Sequence, residues 1–303
     1  MSLVSRYLEP SVVERLNHLQ LSARSVVEGA TTGQHRSPVK GASVEFRQHR
    51  FYVPGDEPRR LDWRVLARTD RPYVKEYDEE TNLRCVLMVD RSGSMAYGGR
   101  RGAGGEPSTK FDYAAQLAAA LAYLMLGQTE GVGLGLFGEK LDAYVPPRAG
   151  TAQLSRVIDA LERATAQGPG GGAAALHRLA DRLERRALVV VISDLYWPAA
   201  SVREALARLR HDRHETIVMQ VMDRDEIEFP FRKWARFRGM EGEAPELCEP
   251  ALVRRTYLEN FRRHRSAVEA ACRTMGAEFR AFVTDRPAID ALTTFLQRRA
   301  LGR

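Results

Sequence analysis

The chain has 303 residues, of which 44% are hydrophobic and 28% charged, with a formal net charge of +7; this is the composition of a soluble globular protein able to bury a sizeable core. No apolar run reaches the roughly 18 residues of a membrane helix, and MSLVSRYLEPSVVERL lacks a positive-then-apolar leader, so a cytoplasmic protein is expected. Cys85, Cys248 and Cys272 are too sparse for a disulfide framework or zinc knuckle, and the bases are arginines interleaved with acids rather than a concentrated stripe with aromatics, which argues against nucleic acid.

Along the chain, Leu8, Val12, Val13, Leu16 and Leu19 recur at helical spacing, and GATTGQHRSPVKG reads as a polar loop. SVEFRQHRFYV alternates like a strand, PGDEP is a turn, RRLDWRVLART predicts a short helix and PYVKEYDEE another strand. The pattern changes at residue 84. RCVLMVD is a near-continuous apolar run ending in Asp90, as in a central strand buried on both faces. The Gly-rich stretch from Tyr97 to Pro107 matches neither phosphate-loop pattern and reads as a flexible insertion. FDYAAQLAAALAYLMLGQ is a strong Ala/Leu helix, and GVGLGLFGEKLDAYVPP predicts two strands around Gly138-Glu139. LSRVIDALERA is an amphipathic helix, GPGGG a break, AALHRLADRLERR a helix and ALVVVISD a second buried strand. SVREALARLRHD is a helix and ETIVMQVMD a strand; residues 224–250, with Pro230, Pro245 and Pro250, read as irregular. A helix over PALVRRTYLENFRRHRSAVEAACRTMG, a strand over EFRAFVT and a helix from Pro287 to Arg299 complete the order.

Strands alternating with helices predict an α/β protein with a Rossmann-like, doubly wound, mostly parallel sheet over residues 83–303, preceded by a helical and β extension over 1–82. In such sheets ligands bind beyond the carboxyl ends of the strands. Two strands end in aspartate at that edge, at Asp90 and Asp194.

Asp90-Arg91-Ser92-Gly93-Ser94 is the chemical centre of the sequence. A carboxylate at a strand end, followed by hydroxyls on alternate residues of a turn, gives three oxygens that can aim at one point. That is a donor set for a hard cation such as Mg²⁺, with Mn²⁺ or Ca²⁺ as alternatives. Asp194 can reach in from another strand end, directly or through water, leaving an open position for a carboxylate from a partner. The bare motif is equally compatible with an aspartate capping its own turn; the buried strand before it, the helix after it and the second strand-end aspartate favour the cation site.

DRSGSM, the downstream VVVISD and the strand–helix order resemble the metal-ion-dependent adhesion site of von Willebrand factor A-type domains. Upstream, EFRQHRFYVPGDEPRRLDWRVLARTDRPYVKEYDEE resembles the signature of the DUF58 family, carried here by Gly55, Asp56, Arg59, Leu61, Asp62, Trp63, Ala67 and Arg68. The resemblance runs from about Gly41 to the C-terminus and implies an A-type domain with metal ligands at Asp90, Ser92, Ser94 and Asp194. It also implies a protein partner, a MoxR-type AAA+ ATPase, in complex assembly or chaperone-like remodelling. One departure stands out. Where relatives offer a threonine, this chain has Gly168-Pro169-Gly170-Gly171-Gly172, with Gly170 at the threonine position, so the site is expected to lack one hydroxyl. Thr165, nearby in sequence, is not counted as its replacement.

Trp63 is expected to be a buried anchor of the extension, and Asp56 or Asp62 to pair with Arg59 or Arg68. His211 and His214, in HDRH, read as a solvated turn. No GxSxG elbow and no HExxH motif occurs. The residues therefore point to a non-enzymatic binding protein. A Mg²⁺-dependent phosphoester hydrolase using Asp90 and Asp194 is the enzymatic alternative, although position 92 is a serine where such enzymes place a second acid. DNA binding through LENFRRHRSAVEAACR is a third reading.

Overall fold

Apolar runs without alternation predict strands covered on both faces, and the sheet is built of them. In this computed structural model the described residues are 5–17, 44–53, 61–79, 84–98, 109–126 and 131–301. Gly55, Asp56, Arg59, the loop 29–41 and most of the Gly-rich stretch before Lys110 lie outside them.

The chain divides into two compact units, residues 32–82 and residues 1–31 with 83–303. In the smaller unit β1 (Val44–Phe51) pairs antiparallel with β2 (Tyr73–Glu79), and α2 (Trp63–Thr69) lies between them in sequence. Asp62 starts that helix: its carboxylate accepts the Val65 N–H at 3.3 Å, and its own N–H donates to the Tyr73 carbonyl. Asp62 is buried, but Trp63 is 64% exposed. The expected buried anchor is thus corrected: residue 63 opens the helix on a face turned to solvent.

The larger unit holds a six-stranded sheet in the order β10 (Glu278–Val283), β7 (Glu215–Met222), β6 (Ala187–Ser193), β3 (Arg84–Asp90), β4 (Gly131–Phe137), β5 (Leu141–Arg148). All neighbours are parallel except β5, which returns antiparallel along β4 as an edge strand. The order grows one way from β3 through β4 and β5, and the other way through β6, β7 and β10. The direction of winding therefore reverses between β3 and β6, the switch point at which doubly wound sheets bind ligands. The expected doubly wound, mostly parallel fold is present.

Side chains of β3 alternate between two cores. Cys85, Leu87 and Val89 face a cluster with α3 (Lys110–Leu126), α4 (Thr151–Arg163) and α9 (Ala288–Leu301); Val86 and Met88 face one with α5 (Ala173–Arg182), α6 (Ala199–His211) and α8 (Pro250–Met275). Period-two alternation is what a strand imposes, and helices on both faces make both sets apolar. The first helix, α1 (10–17 among the described residues), contributes Leu16 to the α3 side. It belongs to the larger unit, whereas the sequence grouped it with the extension.

The segment 224–250, expected to be irregular, holds a short helix α7 (Arg224–Glu228) and a two-stranded sheet of β8 (Ala235–Phe237) with β9 (Glu246–Cys248). A capping box between Asp223 and Glu226 starts α7. His214, expected in a solvated turn, is buried, and its Nδ1 accepts the Ala187 N–H at 3.2 Å.

Candidate functional site

The switch point brings Asp90, at the end of β3, beside Ser193, at the end of β6. Ser193 donates its hydroxyl to Asp90 Oδ2 at 2.5 Å and accepts the Leu195 N–H at 2.9 Å. Leu195 adopts a left-handed backbone, φ +59°, and its carbonyl lies 2.8 Å from His264 Nε2. Asp90 Oδ1 accepts the Ser92 N–H at 2.8 Å, closing the turn after the strand. A 3-10 turn over Gly93–Ala96 then carries Ser94 back, and the Ser92 and Ser94 hydroxyl oxygens come within 3.2 Å of each other. Asp90 and Ser92 are both 1% exposed. Burial first, and the neighbouring Asp194 second, push the Asp90 carboxyl up to about 7, against the hydrogen bonds from Ser193 and Ser92.

The turn is tied to the glycine run. Gly93 N–H donates to the Gly168 carbonyl, Gln167 N–H to the Arg91 carbonyl, and Arg91 Nε to the Thr165 carbonyl. Gly170, where a threonine was expected, turns its N–H to Glu241 Oε2 at 2.8 Å.

Asp194 has a different neighbour. Its Oδ2 lies 2.8 Å from Lys110 Nζ, which also donates to Glu226 Oε1 at 2.5 Å and sits 4.7 Å from the centre of the Tyr196 ring. Lys110 is fully buried. It is the first residue of α3, fixed there by a reciprocal cap in which Thr109 Oγ1 and Asp112 exchange hydrogen bonds. Burial disfavours its charge, but Asp194 and Glu226 outweigh that and hold the ammonium above its ordinary range. Burial pushes the Glu226 carboxyl up, with Lys110 opposing.

The four residues expected at the cation site thus divide. Asp90, Ser92 and Ser94 converge, and Asp194 stands beside them with one oxygen given to an ammonium. Among the described residues no three Asp, Glu, His or Cys side chains gather as a metal-ligand group. The available oxygens are one buried carboxylate and two hydroxyls, which suit a hard cation rather than zinc. Asp90 fits that role by its own chemistry, being a desolvated carboxylate whose named contacts are hydrogen-bond donors and another acid. Ser193, Lys110, Glu226 and Glu241 were not singled out from sequence. Ser193 lies inside VVVISD, but nothing local marks the other three.

A family described as a protein of unknown function, DUF58, matches residues 48–267. The uncharacterized proteins Mb1516 of Mycobacterium bovis and Rv1480 of Mycobacterium tuberculosis are each 28% identical over 298 residues, covering 97% of this chain and 92% of theirs. Among solved structures, a conserved hypothetical protein BatB of Bacteroides thetaiotaomicron is 12% identical and covers 72% of this chain and 99% of that one, with a TM-score of 0.48. An aerotolerance-related membrane protein of Bacteroides fragilis is 13% identical, at 73% and 100% coverage, with the same TM-score of 0.48. The SpRpn10 VWA domain is 11% identical, at 69% and 93% coverage, with a TM-score of 0.39.

Proposed function

This chain belongs to the DUF58 family, and on that premise we propose that it is a non-enzymatic, protein-binding adaptor that captures an acidic residue of its partner through a divalent cation. The observation that carries this reading is the convergence of the Asp90 carboxylate with the Ser92 and Ser94 hydroxyls at the switch point of the sheet. Asp90, Ser92 and Ser94 would hold Mg²⁺, with Mn²⁺ or Ca²⁺ as alternatives. The cation supplies a Lewis-acidic position open to a carboxylate oxygen. Asp194 adds negative charge alongside and stays bonded to Lys110.

The buried ammonium of Lys110 is clamped between two carboxylates, an arrangement that favours a fixed structural charge over a proton-transfer group. For the partner, the resemblance to DUF58 proteins supports a MoxR-type AAA+ ATPase in complex assembly or chaperone-like remodelling. Among the described residues no helix is long and apolar enough to cross a membrane, and Cys85, Cys248 and Cys272 are thiols rather than disulfides, which supports placing this work in the cytoplasm.

The test is a pull-down from native cells in Mg²⁺ and in EDTA. An AAA+ ATPase retained in Mg²⁺, and lost both in EDTA and with Asp90→Asn, supports the reading. Mg²⁺-dependent turnover of a phosphoester that Asp90→Asn abolishes would overturn it in favour of a hydrolase.

A further inference from the structure

Residues 238–243 lie against the turn that carries Ser92 and Ser94. A Cβ placed on Gly93 would lie 1.8 Å from the Met240 carbonyl oxygen, so the segment's backbone rests directly on the turn that carries the two serines. From that segment Glu241 spans both site loops: Oε1 accepts the Ser94 N–H at 3.3 Å and Oε2 the Gly170 N–H at 2.8 Å. A Cβ on Gly170 would fall 2.9 Å from Oε2 and 3.0 Å from Oε1. The carboxylate thus fills the space in which a side chain at position 170 would stand. Glu243 steadies it from behind, its Oε2 accepting the Glu241 N–H at 3.1 Å, and Gly242 makes the turn between them at φ +109°.

An ionised carboxylate has about four lone-pair sites, and the two N–H donors occupy only part of them. A hard cation held by one carboxylate and two hydroxyls gains most from a further carboxylate oxygen. We infer that Glu241 is the site's own acidic ligand. It takes the coordination position of a partner's carboxylate and makes good the hydroxyl missing at Gly170, so an acidic partner binds only as residues 238–243 swing away. This rests on the cation reading above. Being on the same chain, Glu241 acts at an effective concentration in the millimolar range or above. A partner must therefore bring surface contacts that pull the segment off, and a lone carboxylate does not displace it.

The test is calorimetric titration of Mn²⁺ into the full chain and into Glu241→Ala, each without and with excess N-acetylglutamate amide as a free glutamate side chain. The native chain is expected to bind Mn²⁺ alike in both conditions. Glu241→Ala is expected to bind roughly tenfold or more weakly alone, and to regain affinity when the probe fills the emptied position. Glu241→Gln, which keeps the shape and one acceptor, changes in the same direction and guards against a folding defect. Native Mn²⁺ affinity in both variants, with no response to the probe, overturns the inference and leaves the cation site standing. Absence of Mn²⁺ binding in every protein, the native chain included, overturns the cation reading and this inference with it.

Discussion

The Lys110 ammonium lies 2.8 Å from the Asp194 carboxylate, and neither side chain reaches solvent. Removing one member of a buried ion pair strands the other charge, which typically costs about 3–5 kcal/mol. Lys110→Met is therefore expected to lose about that much stability in urea unfolding. Adding Asp194→Asn should restore part of the loss, because the two changes couple. A single-mutant loss below about 1 kcal/mol would show that the pair is relaxed by water.

Gly93 is the point at which residues 238–243 touch the site turn. Gly93→Ala places a methyl against backbone rather than against a flexible side-chain end, so the segment has to move. The expected cost is about 1–3 kcal/mol, with faster tryptic cleavage after Arg238. An unchanged cleavage rate and melting curve would mean that the segment does not rest there.

Restoring a threonine at position 170 tests what limits the site. A side chain there displaces the Glu241 carboxylate, exchanging a charged ligand for a neutral hydroxyl. Gly170→Thr is expected to leave Mn²⁺ affinity equal to or weaker than that of the native chain, by titration calorimetry. A gain of about tenfold or more would show that a hydroxyl was all the site lacked.

His214 gives the fold a pH dependence of known sign. Burial lowers its pKa below the ordinary value of 6.5, Arg208 acting in the same direction and Asp212 against it. Its Nδ1 must stay unprotonated to accept the Ala187 N–H. The unfolded chain then takes up the proton more readily than the folded one. Stability is full above the unfolded value and falls as pH drops through the folded one. Urea unfolding at pH 7.5 and 5.5 should show this loss, and it should shrink in His214→Gln, whose side-chain oxygen accepts without titrating. Equal slopes in the two proteins would remove His214 from the account.

The fold was legible because its signals are local. CVLMV and ALVVVI are apolar on both faces, and a strand buried under helices on each side requires that along its buried length. Asp90 and Asp194 were legible for the same reason, as the carboxylates that end such runs, Asp90 directly and Asp194 after Ser193. The partners were not. Lys110 is an unremarkable helix-start residue in sequence; its meaning comes from acids 84 and 116 positions away. Glu241 sits in GMEGE, whose glycines specify turns and carry no information about what the turn covers. His214 looked solvated because HDRH is polar, yet only one of its two histidines faces water. Trp63 misled in the opposite direction, since the average burial of tryptophan says little about the first residue of a short helix.

The pairing of β3 with β6 also sets the order in which the protein can be made. Asp90 meets Ser193 across 103 positions, and Ser94 meets Glu241 across 147. Contacts so distant in sequence close late in folding. A nascent chain that has just emerged through the turn after β3 carries the aspartate and both serines but nothing that shapes them into a receptor. Capture of a cation or a partner thereby becomes a property of the finished molecule, and chains truncated before the second half is synthesised have no assembled site with which to compete.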